Sequence, residues 1–221
     1  MPIQIEQYPF PNGLHLLKRW QAGDADAKDE MTAVFDAAIA GEFDSNYSIL
    51  TSANRVHSTA SVHMLGLAIL FDLYGIESWA YYNLDPYRYV RTNLAVSRLL
   101  GIHKFYTTWA LYAFTCEPLG QKMMYPDRFP PGADPDAFLI NGKNWQDLKT
   151  PNFQHGVPKA IDGILEVAQE LTGVPPLLQI SAPYSLAADI YGQEPLLADV
   201  VNNPTQVNAL LDHLGDVVLG P

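Results

Sequence analysis

The residues of this sequence that are best suited to chemistry stand at or just beyond the ends of three apolar runs. Arginine and histidine can hold an anionic group, a buried carboxylate can exchange a proton, and aromatic side chains can wall an apolar pocket. If the three runs are parallel strands, these residues converge at one edge of a sheet, on a cavity for a small, partly apolar ligand. The residues concerned are Arg55, His57, Tyr106, Thr108, Trp109, Ser181, Tyr184 and Asp189.

We assign the catalytic roles to Asp189 and Arg55 and substrate contacts to the other members of this set, and most of these residues have an alternative interpretation. Arg55 could clamp a substrate carboxylate or phosphate, or pair with a neighbouring acid. His57 could line the pocket, or be a solvated or backbone-bonded histidine. The aromatic residues could instead belong to an ordinary core. Asp189 lies among small residues, where a buried carboxylate is costly without a partner. It could be catalytic, or it could instead cap or pair with a backbone group.

The elements that must position these residues alternate between strands and helices. Apolar or β-branched runs predict strands over residues 48–53, 103–109 and 177–180, and the last run follows the breaker Val174-Pro175-Pro176. A strand that ends in a small polar turn and leads into a helix is the βα unit of a parallel sheet, where binding sites lie at the carboxyl ends of the strands. The sequence therefore predicts an α/β fold.

Helical periodicity and capping residues predict the helices between these strands. Asp85 and Pro86 are suited to the N-cap and first position of a helix, and Gly41 and Gly75 are suited to helix ends. The long segment 114–152 is rich in proline and predicts an excursion over a binding face, anchored by apolar residues such as Ile140, Trp145 and Leu148. The predicted helices span residues 29–40, 61–74, 86–100 and 157–171.

Composition restricts the class of protein. The chain has 221 residues, 48% of them hydrophobic, and no apolar run approaches the roughly 20 residues that span a bilayer. The net charge of −11 argues against a nucleic-acid-binding surface, which needs a basic face. The lone cysteine, Cys116, cannot form an intramolecular disulfide and is interpreted as a small buried hydrophobe. We expect a cytoplasmic protein without membrane or nucleic-acid partners.

The segment from residue 177 to 211 resembles the uroporphyrinogen decarboxylase superfamily. Residues 181–187 are similar to the family's G-[AG]-P-[FWY]-[ST]-L-A turn, Gly192 and Leu196-Leu197 follow in the family's order, and residues 203–211 fit its N-P-x-x-V-x-x-L-L helix. Weaker similarities precede this segment. Residues 85–103 resemble the family's helix before strand two, and residues 52–55 resemble its arginine-bearing Q-A-G-R turn after strand one.

This resemblance implies a (β/α)8 TIM-type barrel preceded by helices, of which the chain would supply only the first part. Residues 1–47 would be an N-terminal helical and irregular extension, and residues 48–221 would hold the first three strands. Because three strands cannot close a barrel and would leave an apolar edge, we expect a C-terminal half or a second chain to complete it. The sequence is then a fragment or one half of a split protein.

Departures from the family pattern argue against porphyrinogen as the substrate. The decarboxylases carry an arginine where this chain has Thr51, an aspartate in the turn where it has Thr107-Thr108, and a tyrosine where it has Asp189. In those enzymes the aspartate holds the pyrrole N–H groups and arginine holds the acidic side chains of the substrate. Their loss removes the electrostatic means of binding a porphyrinogen.

The other large branch of the superfamily exchanges methyl groups with a corrinoid protein. By this resemblance we expect methyl transfer between a small-molecule substrate and cobalamin on a partner protein, with zinc as a further cofactor. The His-x-Cys and Cys ligands of that zinc lie on later strands in the family, so we predict no metal ligands within these residues. A non-porphyrin decarboxylase, and a non-catalytic half-barrel that completes a partner subunit, remain as alternatives.

Overall fold

The computed structural model describes residues 12–47, 63–78, 80, 85–100, 115–140, 144–175 and 181–220. Helices dominate these ranges, with short 3-10 helices at Glu117–Leu119 and Trp145–Asp147 and a π-helical segment at Leu214–Leu219. The α-helices are α1 (Gly13–Gln21), α2 (Ala25–Ala40), α3 (His63–Tyr74), α4 (Pro86–Leu99), α5 (Gly156–Thr172), α6 (Pro183–Tyr191), α7 (Gln193–Asn202) and α8 (Pro204–His213).

The predicted helices are confirmed, and the capping residues explain where they begin and end. Helix α2 starts earlier than its apolar spacing indicates because Asp24 caps it, accepting a hydrogen bond from the backbone N–H of Ala27 at 3.2 Å. It ends at Gly41, which has a φ of 85°. Asp85 caps α4 in the same way, through the N–H of Arg88, and Pro86 takes the first helical position.

The predicted parallel strands at 48–53, 103–109 and 177–180 lie outside the described residues. Within the described ranges, strand structure consists of β1 (Met123–Met124) and β2 (Gly132–Ala133), a short antiparallel pair in which Met123 lies opposite Ala133. This pair falls in the segment that the sequence predicts as an excursion. The described part is thus mostly helical with a small sheet, which is consistent with part of an α/β fold.

The chain divides into two compact units, of which the first is drawn from Met1–Thr108, Asp127–Phe129 and Ile161–Leu178. In this unit α1 and α2 share one core with α3 and α4. Met31 and Phe35 of α2 are fully buried against Val96 and Leu99 of α4 and their neighbours. Burial of each such side chain contributes about 1.5 to 3 kcal/mol. The predicted boundary at residue 47 stays a prediction.

The second unit is drawn from Trp109–Pro126, Pro130–Ala160 and Gln179–Pro221. Its core contains fully buried residues from α6 and α7, with Cys116 and Ile140 from the segment that precedes them in sequence. Trp145 and Leu148 pack against this core. The prediction that apolar anchors hold the proline-rich excursion is therefore confirmed. The same core fixes α6, which carries two of the predicted site residues, Tyr184 and Asp189.

Candidate functional site

Five of the predicted site residues lie outside the described part of the chain. Nothing in the structure therefore bears on whether they face a common cavity with α6, and their roles stay predictions. These residues are Arg55, His57, Tyr106, Thr108 and Trp109.

The other three predicted site residues belong to α6 or to the turn before it. Ala182 is the N-cap residue and Pro183 occupies the first helical position, so the small-residue turn sets the direction in which the helix begins. Ser181 is buried at 4% exposure, and its hydroxyl oxygen has no hydrogen-bond partner. Tyr184 is 42% exposed, and Asp189 is half-buried. These three residues lie on one short segment, but this does not test their catalytic and binding roles, which stay predictions.

The carboxyl group of Asp189 lacks a hydrogen-bond partner at one of its two oxygens. Its Oδ2 atom is buried and has no hydrogen-bond partner. Burial raises the pKa of Asp189 to about 6, and a weaker interaction with the Cys116 thiol opposes that rise. Burial disfavours the charged form of a carboxyl group, so the upward direction is the expected one. A carboxyl group with such a pKa can both donate and accept a proton near neutral pH.

Cys116 is the neighbour of Asp189 that the sequence did not identify. Its side chain is fully buried, which confirms its interpretation as a small buried hydrophobe. Burial raises the pKa of this thiol to about 12, and the negative charge of Asp189 adds to the effect. Cys116 is therefore a thiol rather than a thiolate at neutral pH, and it is not a nucleophile. No sequence signal connects it to Asp189, because the two residues are far apart in the chain.

A cleft of the second unit lies beside the end of α6. Its volume is about 570 Å³, within the range of small-molecule sites, and Phe138, Ile140, Tyr191 and Pro195 line it together with polar Asp136. A smaller cleft of about 320 Å³ is lined by residues that include Glu117, Asn152 and His155. Neither cleft is lined by Ser181, Tyr184 or Asp189.

The described residues contain no group of three or more His, Cys, Asp or Glu side chains that could hold a metal ion. Within the same ranges, none of the helices is long and apolar enough to cross a bilayer.

The small-residue turn at 181–187 and the helices that follow it as far as α8 indicate a URO-D-like protein. The profile of the family described as Uroporphyrinogen decarboxylase (URO-D) matches residues 75–220, about two thirds of the chain, and the chain belongs to that family. The matched part contains Ser181, Tyr184 and Asp189. Arg55 and His57 precede it, so the resemblance of residues 52–55 to the family's first turn and the pocket role of His57 stay predictions.

A solved structure of a methyltransferase from Methanosarcina mazei has a similar fold, with a TM-score of 0.57 and 17% sequence identity. The likeness covers 80% of this chain and 49% of that one, so the chain spans about half the length of the structure it matches. At this identity the likeness establishes the fold alone. A comparison with curated proteins gives no significant match.

Proposed function

We propose that this chain forms the first part of a (β/α)8 enzyme of the URO-D family that transfers a methyl group between a small substrate and a corrinoid on a partner protein. The remaining strands would come from further polypeptide or from a second chain. Family membership supports the enzyme class, and the fold of the M. mazei methyltransferase is consistent with it. The substitutions at Thr51 and Thr107-Thr108 argue against the porphyrinogen branch.

The observation that carries the proposal is the environment of Asp189. Its Oδ2 atom is buried without a hydrogen-bond donor, although burial makes a charge at that atom unfavourable. An acid of this kind destabilises the fold at neutral pH, and such groups are concentrated in functional sites. A free acceptor with a pKa of about 6 is suited to general acid–base catalysis at a substrate heteroatom.

Asp189 would control the proton that accompanies methyl transfer. A reduced corrinoid on the partner protein would supply the electron pair that receives the methyl group from a substrate heteroatom. That heteroatom keeps the bonding electron pair and must be protonated, and the neutral carboxyl group of Asp189 would donate the proton. In the reverse direction the Asp189 carboxylate would take the proton back. Tyr184 and Ser181 would contact the substrate beside it.

Zinc remains an expectation of the family resemblance, with its ligands outside this chain. The described residues offer no cluster that fits the ion. The proton transfer assigned to Asp189 is proposed for this carboxyl group and the substrate, without any role for that ion.

Methyl transfer to cobalamin tests the proposal. The protein, produced with the polypeptide that completes it, is supplied with reduced cobalamin and a panel of methylated alcohols, amines, thiols and aromatic ethers. We expect formation of methylcobalamin with at least one class of substrate, followed by its absorption spectrum. The same assay compares Asp189→Asn, which should lower the rate, with Asp212→Asn as its matched control. Asp212 is an exposed carboxylate on α8.

Other outcomes would contradict the proposal in distinguishable ways. Conversion of uroporphyrinogen to coproporphyrinogen would assign the protein to the porphyrin branch. Release of carbon dioxide from a non-porphyrin acid, without methyl transfer, would support the alternative decarboxylase. A completed protein that is folded but inactive with every substrate would support the non-catalytic half-barrel.

A further inference from the structure

The first unit contains a cavity of about 500 Å³ that residues of α1, α2 and α3 line together with Arg128. Much of its wall is apolar. Leu17 and Trp20 of α1 and Leu65 and Ile69 of α3 line it, and all four belong to the core of this unit or pack against it. A cavity of this volume that combines apolar walls with a few polar groups is typical of small-molecule sites.

The charged side chains at this cavity are those of Lys28, Arg128 and Asp72. One terminal nitrogen of Arg128 donates to the Asp72 carboxylate at 2.7 Å, and the other guanidinium nitrogens have no acceptor among the described residues. Lys28 is exposed and has no acidic partner within the same part of the chain. The cavity therefore has an excess of positive charge, although the chain as a whole has a net charge of −11. Such a local excess attracts anions.

Arg128 is held at this cavity in a backbone conformation that is uncommon for a residue with a side chain. Its φ is 64°, in the left-handed region. The next residue, Phe129, accepts a hydrogen bond from the Ser78 hydroxyl at 3.1 Å, and the Arg128 guanidinium carbon lies 6.0 Å from the centre of the Phe71 ring. Residues in disfavoured conformations persist where the surroundings fix them, and they are concentrated at ligand sites.

We propose that this cavity binds a small organic anion with an aromatic body, such as an aromatic carboxylate. The anionic group would accept hydrogen bonds from the free guanidinium nitrogens of Arg128 and would be attracted by Lys28. The aromatic body would pack against Trp20 and the aliphatic wall. An inorganic anion would leave that wall unfilled, and a neutral aromatic ligand would make no use of the two cations. The site belongs to the first unit, and it does not depend on Asp189 or on methyl transfer.

The first test is calorimetric titration of the completed protein with naphthoate. Naphthamide is the control for charge, since it has the same aromatic body and no negative charge, and inorganic phosphate is the control for the body. We expect naphthoate to bind at least about tenfold more tightly than naphthamide, because charge-assisted hydrogen bonds are lost with the amide. Inorganic phosphate should show no measurable binding. Raising the salt concentration should weaken binding of naphthoate, because exposed charges are screened.

Variants of the two cations locate the site. Arg128→Asn should weaken naphthoate binding about tenfold, and asparagine tolerates the positive φ at this position. Lys28→Gln should weaken it about threefold, because an exposed charge contributes less. Lys18→Gln is the matched control, since it removes the same charge from an exposed residue of α1 that does not line the cavity, and it should leave binding unchanged. Binding of naphthamide should be the same in all three variants, which shows that the cavity is still formed.

Four results would overturn the proposal. Naphthoate fails to bind the completed protein, or it binds no more tightly than naphthamide. Arg128→Asn and Lys28→Gln bind naphthoate as tightly as the original protein does. Finally, this chain alone binds naphthoate and the completed protein does not, which would identify the completing polypeptide as the occupant of the cavity. None of these results depends on enzymatic activity, so the proposed methyl transfer can fail while the anion site stands.

Discussion

Replacing Asp189 by asparagine should change the stability of the protein in a way that depends on pH. Asparagine has nearly the same shape as aspartate, and its carbonyl oxygen can still accept from the Cys116 thiol. It removes only the charge that burial disfavours. We therefore expect the variant to gain stability relative to the original protein as the pH rises.

The size of the effect follows from the two pKa values of Asp189. The folded pKa is about 6, and the value of an unperturbed aspartate is 3.8. Between these values the folded protein keeps a proton that the unfolded chain releases. The stability of the original protein therefore falls as the pH rises through this window, and the full penalty is present above it. A pKa difference of about two units corresponds to at most about 3 kcal/mol, and the effect is smaller than this because solvent screens the charge of the half-buried Asp189.

The assay is urea denaturation followed by circular dichroism, at intervals between about pH 4 and about pH 8. The new amide N–H group of asparagine can cost about 1 to 3 kcal/mol if it is left unsatisfied, but this cost does not vary with pH. The test is therefore how the difference in unfolding free energy between Asp189→Asn and the original protein changes with pH. The size of that difference at any single pH is not the test. Asp212→Asn should show no comparable change. A difference for Asp189→Asn that is constant over the whole range would refute the inference that Asp189 is charged and desolvated at neutral pH.

Three further predictions concern the second unit and the substrate. Cys116 is fully buried and its pKa is raised to about 12, so a chromogenic thiol reagent at about pH 8 should react with it only after unfolding. Gly192→Ala should cost about 2 to 4 kcal/mol, because Gly192 has a φ of 94° and a Cβ would lie 2.8 Å from Phe138. Gly215→Ala, whose nearest contact would be 3.6 Å away, should change stability by less than about 1 kcal/mol in the same denaturation assay. Uroporphyrinogen should give no coproporphyrinogen above background when its products are separated by chromatography.

Four of the helices, α2 to α5, could be predicted from sequence because their signals are local. Asp24 and Asp85 supply caps within three residues of the N–H groups that they satisfy, and Gly41 ends α2 because its φ is positive. Apolar periodicity did not show that α2 begins at Ala25, since the first turn carries polar residues and depends on its cap. These features require no knowledge of tertiary structure.

The environment of Asp189 could be predicted only in part. Its position among small residues indicated burial, and burial fixes the direction in which its pKa moves. Its proximity to Cys116 depends on how the proline-rich segment packs against α6, and no local pattern records that packing. The orientation of α7 could not be predicted either. Leu196 is fully buried and the adjacent Leu197 is 49% exposed, and no local pattern shows which of the two leucines faces the core.

The most direct test of the role assigned to the Asp189 carboxyl group is the rate of methyl transfer by the Asp189→Asn protein. The melting temperature of the variant is measured beside this rate. Loss of a general acid lowers a rate by about 100-fold or more. We predict a loss of that size in an Asp189→Asn protein whose melting temperature shows that it is folded at the assay temperature, while Asp212→Asn retains full activity. An Asp189→Asn protein that transfers methyl groups at the original rate would contradict this role.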